Sequence, residues 1–311
     1  ASDAEALRAF RFANRAMLLQ RSHSSWSSLR RRDPADVPSE PAMEGRWRPF
    51  QLAFILVNLE GLIDVQSEDR QIGDLLWFPT GGGKTEAYLG LAAFAMSLRR
   101  RRQIAGMRSD AGLSVLMRYT LRLLTIQQFQ RAATLICACE KLRQEDRDTW
   151  GEYRFSIGLW LGMNGTPNGH AESRRILNRL KKDESEEGAN PCVLESCPWC
   201  GEPLSPRDYW IDRAAFRTRV ACPREACLFS TQNSDVGLPV LVVDEEIYRE
   251  CPSMLIATVD KFAQMPWNGQ VESLFGFVHR ECDRCGFLTQ SAKHDCERSA
   301  KSRGDAQRPR D

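Results

Sequence analysis

The sequence predicts an α/β fold: a doubly wound parallel sheet with an N-terminal helical segment, a phosphate-binding loop and an inserted cysteine-rich module. Three observations predict it. Short apolar runs alternate with helix-length stretches between residues 74 and 258. A triple glycine followed by Lys-Thr joins one of those strands to the next helix. Paired cysteines gather in the stretch 187–232, which interrupts the alternation.

The elements follow in chain order. Ala6, Leu7, Phe10, Phe12, Ala13, Ala16, Met17 and Leu18 recur at helical spacing, so residues 4–20 read as a helix. Ser, Arg and Pro dominate 21–45, which reads as an exposed linker closing an N-terminal segment of residues 1–45. Gln51 to Leu59 is apolar nearly all round and precedes Gly61, the pattern of a buried helix with a glycine stop. A strand is predicted at Asp74 to Phe78, ended by Pro79. Helices are then expected at Lys84 to Leu98, Thr125 to Leu142 and Glu172 to Lys182, with strands at Leu113 to Met117 and Phe155 to Leu161 between them. The sheet domain therefore occupies 46–186 and, after the cysteine-rich insertion, resumes over 233–275 with strands at Pro239 to Val243 and Met254 to Thr258. Residues 276–311 form a second cysteine-containing tail. The basic run Arg99 to Arg102 reads as a solvated helix C-terminus favoured by its dipole.

Composition excludes several classes. With 311 residues, 42% hydrophobic and 27% charged, the chain is neither disordered nor collagenous. A net charge of +2 supplies no global field for nucleic acid or anionic lipid, so any polyanion site is local. The uncharged stretch Ala87 to Leu98 falls well short of the roughly twenty residues that cross a bilayer. No membrane partner is expected. The opening Ala1-Ser2-Asp3-Ala4-Glu5 lacks a basic segment ahead of an apolar one, which points to a cytoplasmic location, and both ends read as cut from a longer protein.

Phe78-Pro79-Thr80-Gly81-Gly82-Gly83-Lys84-Thr85 carries the chemistry of a phosphate loop. Three glycines let backbone N–H groups turn inward without Cβ clashes, and the following helix adds its positive end. Lys84 would bridge the outer phosphates and Thr85 would place its hydroxyl on Mg²⁺. Thr80 to Thr85 are thus the candidate ATP and Mg²⁺ ligands. Phe78 stands where the generic pattern has a further glycine.

The segment Leu75 to Gly90 resembles motif I of the superfamily 2 helicases, a family in which that first glycine is relaxed. Arg48-Pro49-Phe50-Gln51 looks like the upstream element whose glutamine reads adenine, which implies that role for Gln51. Ser114 to Gln128 lies where motif Ia meets the nucleic-acid backbone. Met117 to Thr125 and Ala257 to Ala263 are similar in wording to the helicase-like subunit of bacterial DISARM phage-defence systems. The resemblance spans residues 4–280 and implies a RecA-like lobe of an ATP-dependent DNA helicase or translocase. It also implies sequence-independent contacts to the DNA backbone from Thr120, Arg122 and Thr258, and a partner subunit from the same system.

Hydrolysis in that superfamily needs an Asp on Mg²⁺ and a Glu on the attacking water. Leu241-Val242-Val243-Asp244-Glu245-Glu246 has the form of that motif. Two alignments are open. Either Asp244 and Glu245 are the catalytic pair, with Ile256-Ala257-Thr258 as motif III, or Leu255 to Phe262, which contains Thr258, is the Ala-Thr-Pro-Gly-Arg element that precedes motif II. The second is preferred because Asp260-Lys261-Phe262 continues that element, and it makes Asp244 and Glu245 a connector. The chain would then be part of a longer ATPase and inactive alone.

Cys197-Pro198-Trp199-Cys200-Gly201 and Cys222-Pro223-Arg224-Glu225-Ala226-Cys227 form two close pairs. Two such knuckles can wrap four thiolates around one Zn²⁺, which would serve as the core of an insertion with few apolar residues. Cys192 is a substitute ligand. Cys282, Cys285, His294 and Cys296 form a second, less regular group, while Cys137 and Cys139, two apart on a helix, read as packing residues. Against the motor reading stands a non-hydrolysing clamp or scaffold that bears zinc, holds nucleic acid and uses nucleotide as a switch.

Overall fold

The computed structural model describes residues 3–33, 37–79, 81–102, 109–120, 122–162, 165–184, 188–212, 214–292, 296 and 301–302. Helices are α1 (Ala4–Arg32), α2 (Pro49–Ile63), α3 (Lys84–Arg101), α4 (Arg122–Glu145), α5 (Arg147–Trp150), α6 (His170–Leu180), α7 (Asp244–Glu250) and α8 (Val259–Gln264). Strands are β1 (Val115–Tyr119), β2 (Ile157–Trp160), β3 (Tyr209–Asp212), β4 (Arg217–Val220), β5 (Val240–Leu241), β6 (Met254–Thr258), β7 (Arg280–Cys282), β8 (Gly286–Leu288) and β9 (Lys301–Ser302).

Four strands form a parallel sheet in the order β1-β6-β2-β5. β2 and β6 are buried at every position, which is why both read as unbroken apolar runs in the sequence. Tyr119 pairs with Thr258 and Trp160 with Ala257, so β1, β6 and β2 all end on one side. β3 and β4 make an antiparallel hairpin, and β8-β7-β9 a small sheet of its own.

α1 packs along α3 and α4, and the three helices bury Phe12, Ala16, Phe94, Phe129 and Ile136 in one core with Ile157 and Ile256 of the sheet. Asp3 starts α1, its Oδ1 accepting the Glu5 and Ala6 N–H groups at 3.0 Å.

Four sequence expectations change. The linker predicted from residue 21 is helical to Arg32, with His23, Trp26 and Ser27 buried against Trp199, Arg224 and Gly201 of the cysteine-rich module. The helix at 51–59 is not buried all round: Gln51 and Ile55 are buried, Leu56 and Val57 are 50% and 65% exposed, and the helix passes Gly61. Residues 74–78 form no strand, and Leu75 and Trp77 are more than four-fifths exposed. An apolar run makes a strand only beside a partner, and among the described residues nothing pairs with the outer edge of β1. The Arg99–Arg102 run is tucked in rather than solvated. Arg100 is buried, donates to the Trp150 and Tyr153 carbonyls and lies 3.5 Å over the Phe155 ring.

The insertion is also less hollow than expected. Leu194, Trp199, Tyr209, Val220 and Phe229 join the same core as the sheet. Cys137 and Cys139 are fully buried in that core, as packing residues are.

Candidate phosphate pocket and thiol clusters

α3 begins at Lys84, and the residue before it, Gly83, has φ +94°, a conformation that a Cβ would strain. Gly81 is also left-handed, at φ +79°. The loop is braced by the first turn of α2. Gln51 Nε2 donates to the Gly83 carbonyl and Arg48 Nη1 to that of Gly82, both at 2.7 Å, while Gln51 Oε1 accepts the Arg48 N–H at 2.8 Å. Phe50 stacks on Phe78 at 3.8 Å. Thr80 lies outside the described residues.

Gly81, Gly83, Lys84 and Thr85 open onto a cavity of about 830 Å³. Arg21, Arg46, Arg48, Lys84 and Arg131 line it, against one carboxylate, Glu86, which Arg131 pairs. Five cations facing one engaged anion leave a strongly positive cavity at a helix N-terminus. The Lys84 ammonium donates to the Phe78 carbonyl. Of these groups Arg21, Arg46 and Arg131 were not singled out from the sequence; α1 and α4 bring the first and last to the loop from distant segments.

Asp244 and Glu245 do not line this cavity. They start α7 behind β5, the edge strand farthest from β1. Asp244 is buried in an ion pair with Lys261, whose own side chain is equally buried. Burial pushes the Asp244 carboxyl up to about 6, and Lys261 opposes the shift. Glu245 accepts the His170 N–H at 3.2 Å.

Thr120 is exposed at the end of β1, beside the end of β6. Thr258 is buried, and its hydroxyl accepts the Gly162 N–H at 3.1 Å. Arg122 opens α4, and its side chain lies outside the described residues.

The Sγ atoms of Cys197, Cys200, Cys222 and Cys227 lie within 4.8 Å of one another. Cys197 and Cys227 are 3.9 Å apart, Cys200 and Cys222 3.4 Å. Zn–S bonds of about 2.3 Å in a tetrahedron place sulfurs about 3.8 Å apart, so the four thiols suit one zinc-sized ion. Gly201, at φ +78°, turns the first knuckle, and its N–H donates to the Cys197 carbonyl at 2.8 Å. Burial drives the Cys197 thiol well up, whereas hydrogen bonds from Cys197, Cys222 and Cys227 drive that of Cys200 down. Four thiolates gathered this closely would need a cation to offset their mutual repulsion. Cys192 stands outside the cluster. Cys282 and Cys285, around the β7–β8 turn, form a second convergent group with Cys296, and burial pushes Cys285 up to about 12. His294 lies outside the described residues.

A parallel α/β protein with a glycine-lysine loop on a cationic cavity and two thiol clusters able to hold metal is the class that the fold and sites define. The chain is 43% identical over 299 residues to the DISARM protein DrmA of Bacillus paralicheniformis. That alignment covers 92% of this chain and 26% of the relative, so the chain spans about a quarter of the length of the curated relative it matches. No family model matches the sequence. Among the described residues no helix is long and apolar enough to cross a membrane.

Proposed function

We propose that this chain is the ATP-binding, RecA-like lobe of a superfamily 2 DNA helicase or translocase that acts in DISARM anti-phage defence beside a partner subunit of that system. The observation that carries the reading is the cationic cavity at the start of α3. The likeness to DISARM protein DrmA supports the biological setting.

ATP with Mg²⁺ would be held by residues already at the cavity. Gly81 and Gly83 offer backbone N–H groups, Lys84 its ammonium and Thr85 its hydroxyl, whereas the Gly82 N–H donates to the Pro79 carbonyl at 3.2 Å; Mg²⁺ would neutralise phosphate charge there. Gln51, braced against Gly83, would read the adenine edge. Arg21, Arg46 and Arg48 add charge that opposes phosphate repulsion. Thr120 and Arg122 would touch the DNA backbone, with Thr258 positioning the turn through Gly162. One Zn²⁺ on Cys197, Cys200, Cys222 and Cys227 would fix the insertion, and a second on Cys282, Cys285, Cys296 and His294 the tail.

The position of Asp244 in a buried ion pair supports the connector alignment, in which the hydrolytic carboxylates belong to another part of the full protein. One observation favours the rival clamp that holds nucleotide without hydrolysing it: the single carboxylate lining the cavity among the described residues, Glu86, is engaged by Arg131. Fluorescent-nucleotide titration tests ATP binding. Lys84→Ala should abolish saturable binding, and unchanged affinity would remove the assignment.

A further inference from the structure

A second cavity, of about 620 Å³, opens at the opposite ends of the strands, where Gly112, Ser156 and Ser253 lead into β1, β2 and β6. The β3–β4 hairpin and the β7–β8 turn wall it. Its volume falls in the range of pockets that take small molecules, roughly 300–1,000 Å³.

The charges there are uneven in what they do. Five arginines line it: Arg154, Arg217, Arg219, Arg249 and Arg284. Of the lining acids, Asp110 is turned to the Glu152 and Tyr153 backbone N–H groups at 3.1 and 3.2 Å, Glu281 accepts the Tyr153 hydroxyl, and Asp283 is exposed. Glu250 sits inside the arginine group, paired with Arg217 and, at 3.6 Å, with Arg219. Burial works against its ionisation, and Arg217, Arg219 and Arg154 overcome it, holding the carboxyl below its ordinary value. Three guanidiniums thus draw on Glu250, and Arg154 also feels the buried Glu140.

Arg217 has its donors filled by Glu250 and the carbonyls of Ala215, Phe216 and Cys285. Arg154 and Arg219 do not. Arg154 donates to the Gly237 carbonyl at 2.9 Å, and the buried Nε of each has no hydrogen-bond partner among the described residues. Burying guanidinium charge beyond its carboxylates is costly unless an anion completes it, and arginine forks match phosphate oxygens. Tyr153 and Phe287, parallel at 6.1 Å, add an aromatic wall for the remainder of a ligand.

We propose that this cavity is a second anion site, which binds the phosphate groups of a small phosphorylated ligand through Arg154 and Arg219, separately from the glycine-lysine loop. This site does not require the loop to bind ATP. The test uses the full chain carrying Lys84→Ala, so that phosphate at the loop does not contribute, with pyrophosphate as the probe and chloride of matched ionic strength as the control. Pyrophosphate should raise the thermal midpoint of this protein, chloride should not, and adding Arg219→Gln should remove the rise. Because Arg219→Gln also touches Glu250, phenylglyoxal modification of the Lys84→Ala protein gives a readout free of that change: pyrophosphate should slow modification of Arg154 and Arg219 at least about fivefold, as read by peptide mass mapping. A midpoint that pyrophosphate leaves unmoved, or unprotected Arg154 and Arg219, would overturn the site.

Discussion

His23 lies stacked on Trp199, ring centroids 3.3 Å apart, and its Nδ1–H donates to the Trp199 carbonyl at 2.8 Å. Trp199 stands between Cys197 and Cys200, so α1 grips the first thiol knuckle directly. Arg31 adds a bond to Ser196 at 3.0 Å and Arg30 an ion pair to Glu202. Earlier turns of the same helix put Asn14, Leu18 and Arg21 on the phosphate cavity. α4 repeats the arrangement: Gln130 and Thr134 donate to the Ser196 and Pro198 carbonyls, while Gln128 and Arg131 face the cavity. Two rigid helices therefore touch both sites.

Loss of the knuckle should be felt at the loop. Chelating the metal, or Cys200→Ser, should weaken nucleotide binding about fivefold or more by loosening α1 and α4. Fluorescent-nucleotide titration before and after chelation reads the change. Equal affinity in both states would show that the helices carry no coupling.

Glu246 gives a pH dependence. Burial pushes its carboxyl up to about 8, against the Thr218 N–H that it accepts at 2.7 Å and the charge of Arg217. The folded chain then keeps a proton that the unfolded chain releases near its ordinary value of 4.5. The contribution is full below about pH 4.5 and is lost as pH rises towards 8, at about 1.4 kcal/mol per unit. Glu246→Gln should flatten that loss in urea titrations at pH 5 and pH 8. A variant that loses as much as the parent would locate the pH dependence elsewhere.

Lys261→Met should destabilise the chain by about 3–5 kcal/mol, because Asp244 would remain buried without its cation. Adding Asp244→Leu should recover most of the loss. Chemical denaturation of the single and double variants measures both, and a single variant within 1 kcal/mol of the parent would mean that water reaches Asp244.

The connector alignment predicts that Glu245→Gln in the longer protein leaves DNA-stimulated ATP hydrolysis largely intact. The side chain is 43% exposed, so the substitution leaves the core untouched. A fall of orders of magnitude with nucleotide still bound would move the catalytic pair into this chain.

What the sequence made legible is what local chemistry dictates. β6 falls at Met254–Thr258, as its apolar run predicts, because a strand buried on both faces shows its length directly. The close pairs Cys197/Cys200 and Cys222/Cys227 bring their thiols together because each knuckle is a tight turn. The second half of α1 was hidden for the opposite reason: His23 and Ser27 carry no apolar period, and they pack against Trp199 and Gly201, far along the chain. Residues 74–78 have a strand's composition but no neighbour to pair with. Arg21 and Arg131 could not be read as cavity residues, since only the packing of α1 and α4 aims them there.

Whether ATP with Mg²⁺ enters the cavity at the start of α3 is read by hydrogen–deuterium exchange of the zinc-loaded chain. ATP–Mg²⁺ should slow exchange in peptides covering 46–51 and 81–86, and Lys84→Ala should abolish that protection. Unchanged exchange at both segments under saturating ATP–Mg²⁺, or protection confined to the peptides that carry Arg154 and Arg219, would mean that ATP does not bind at the start of α3.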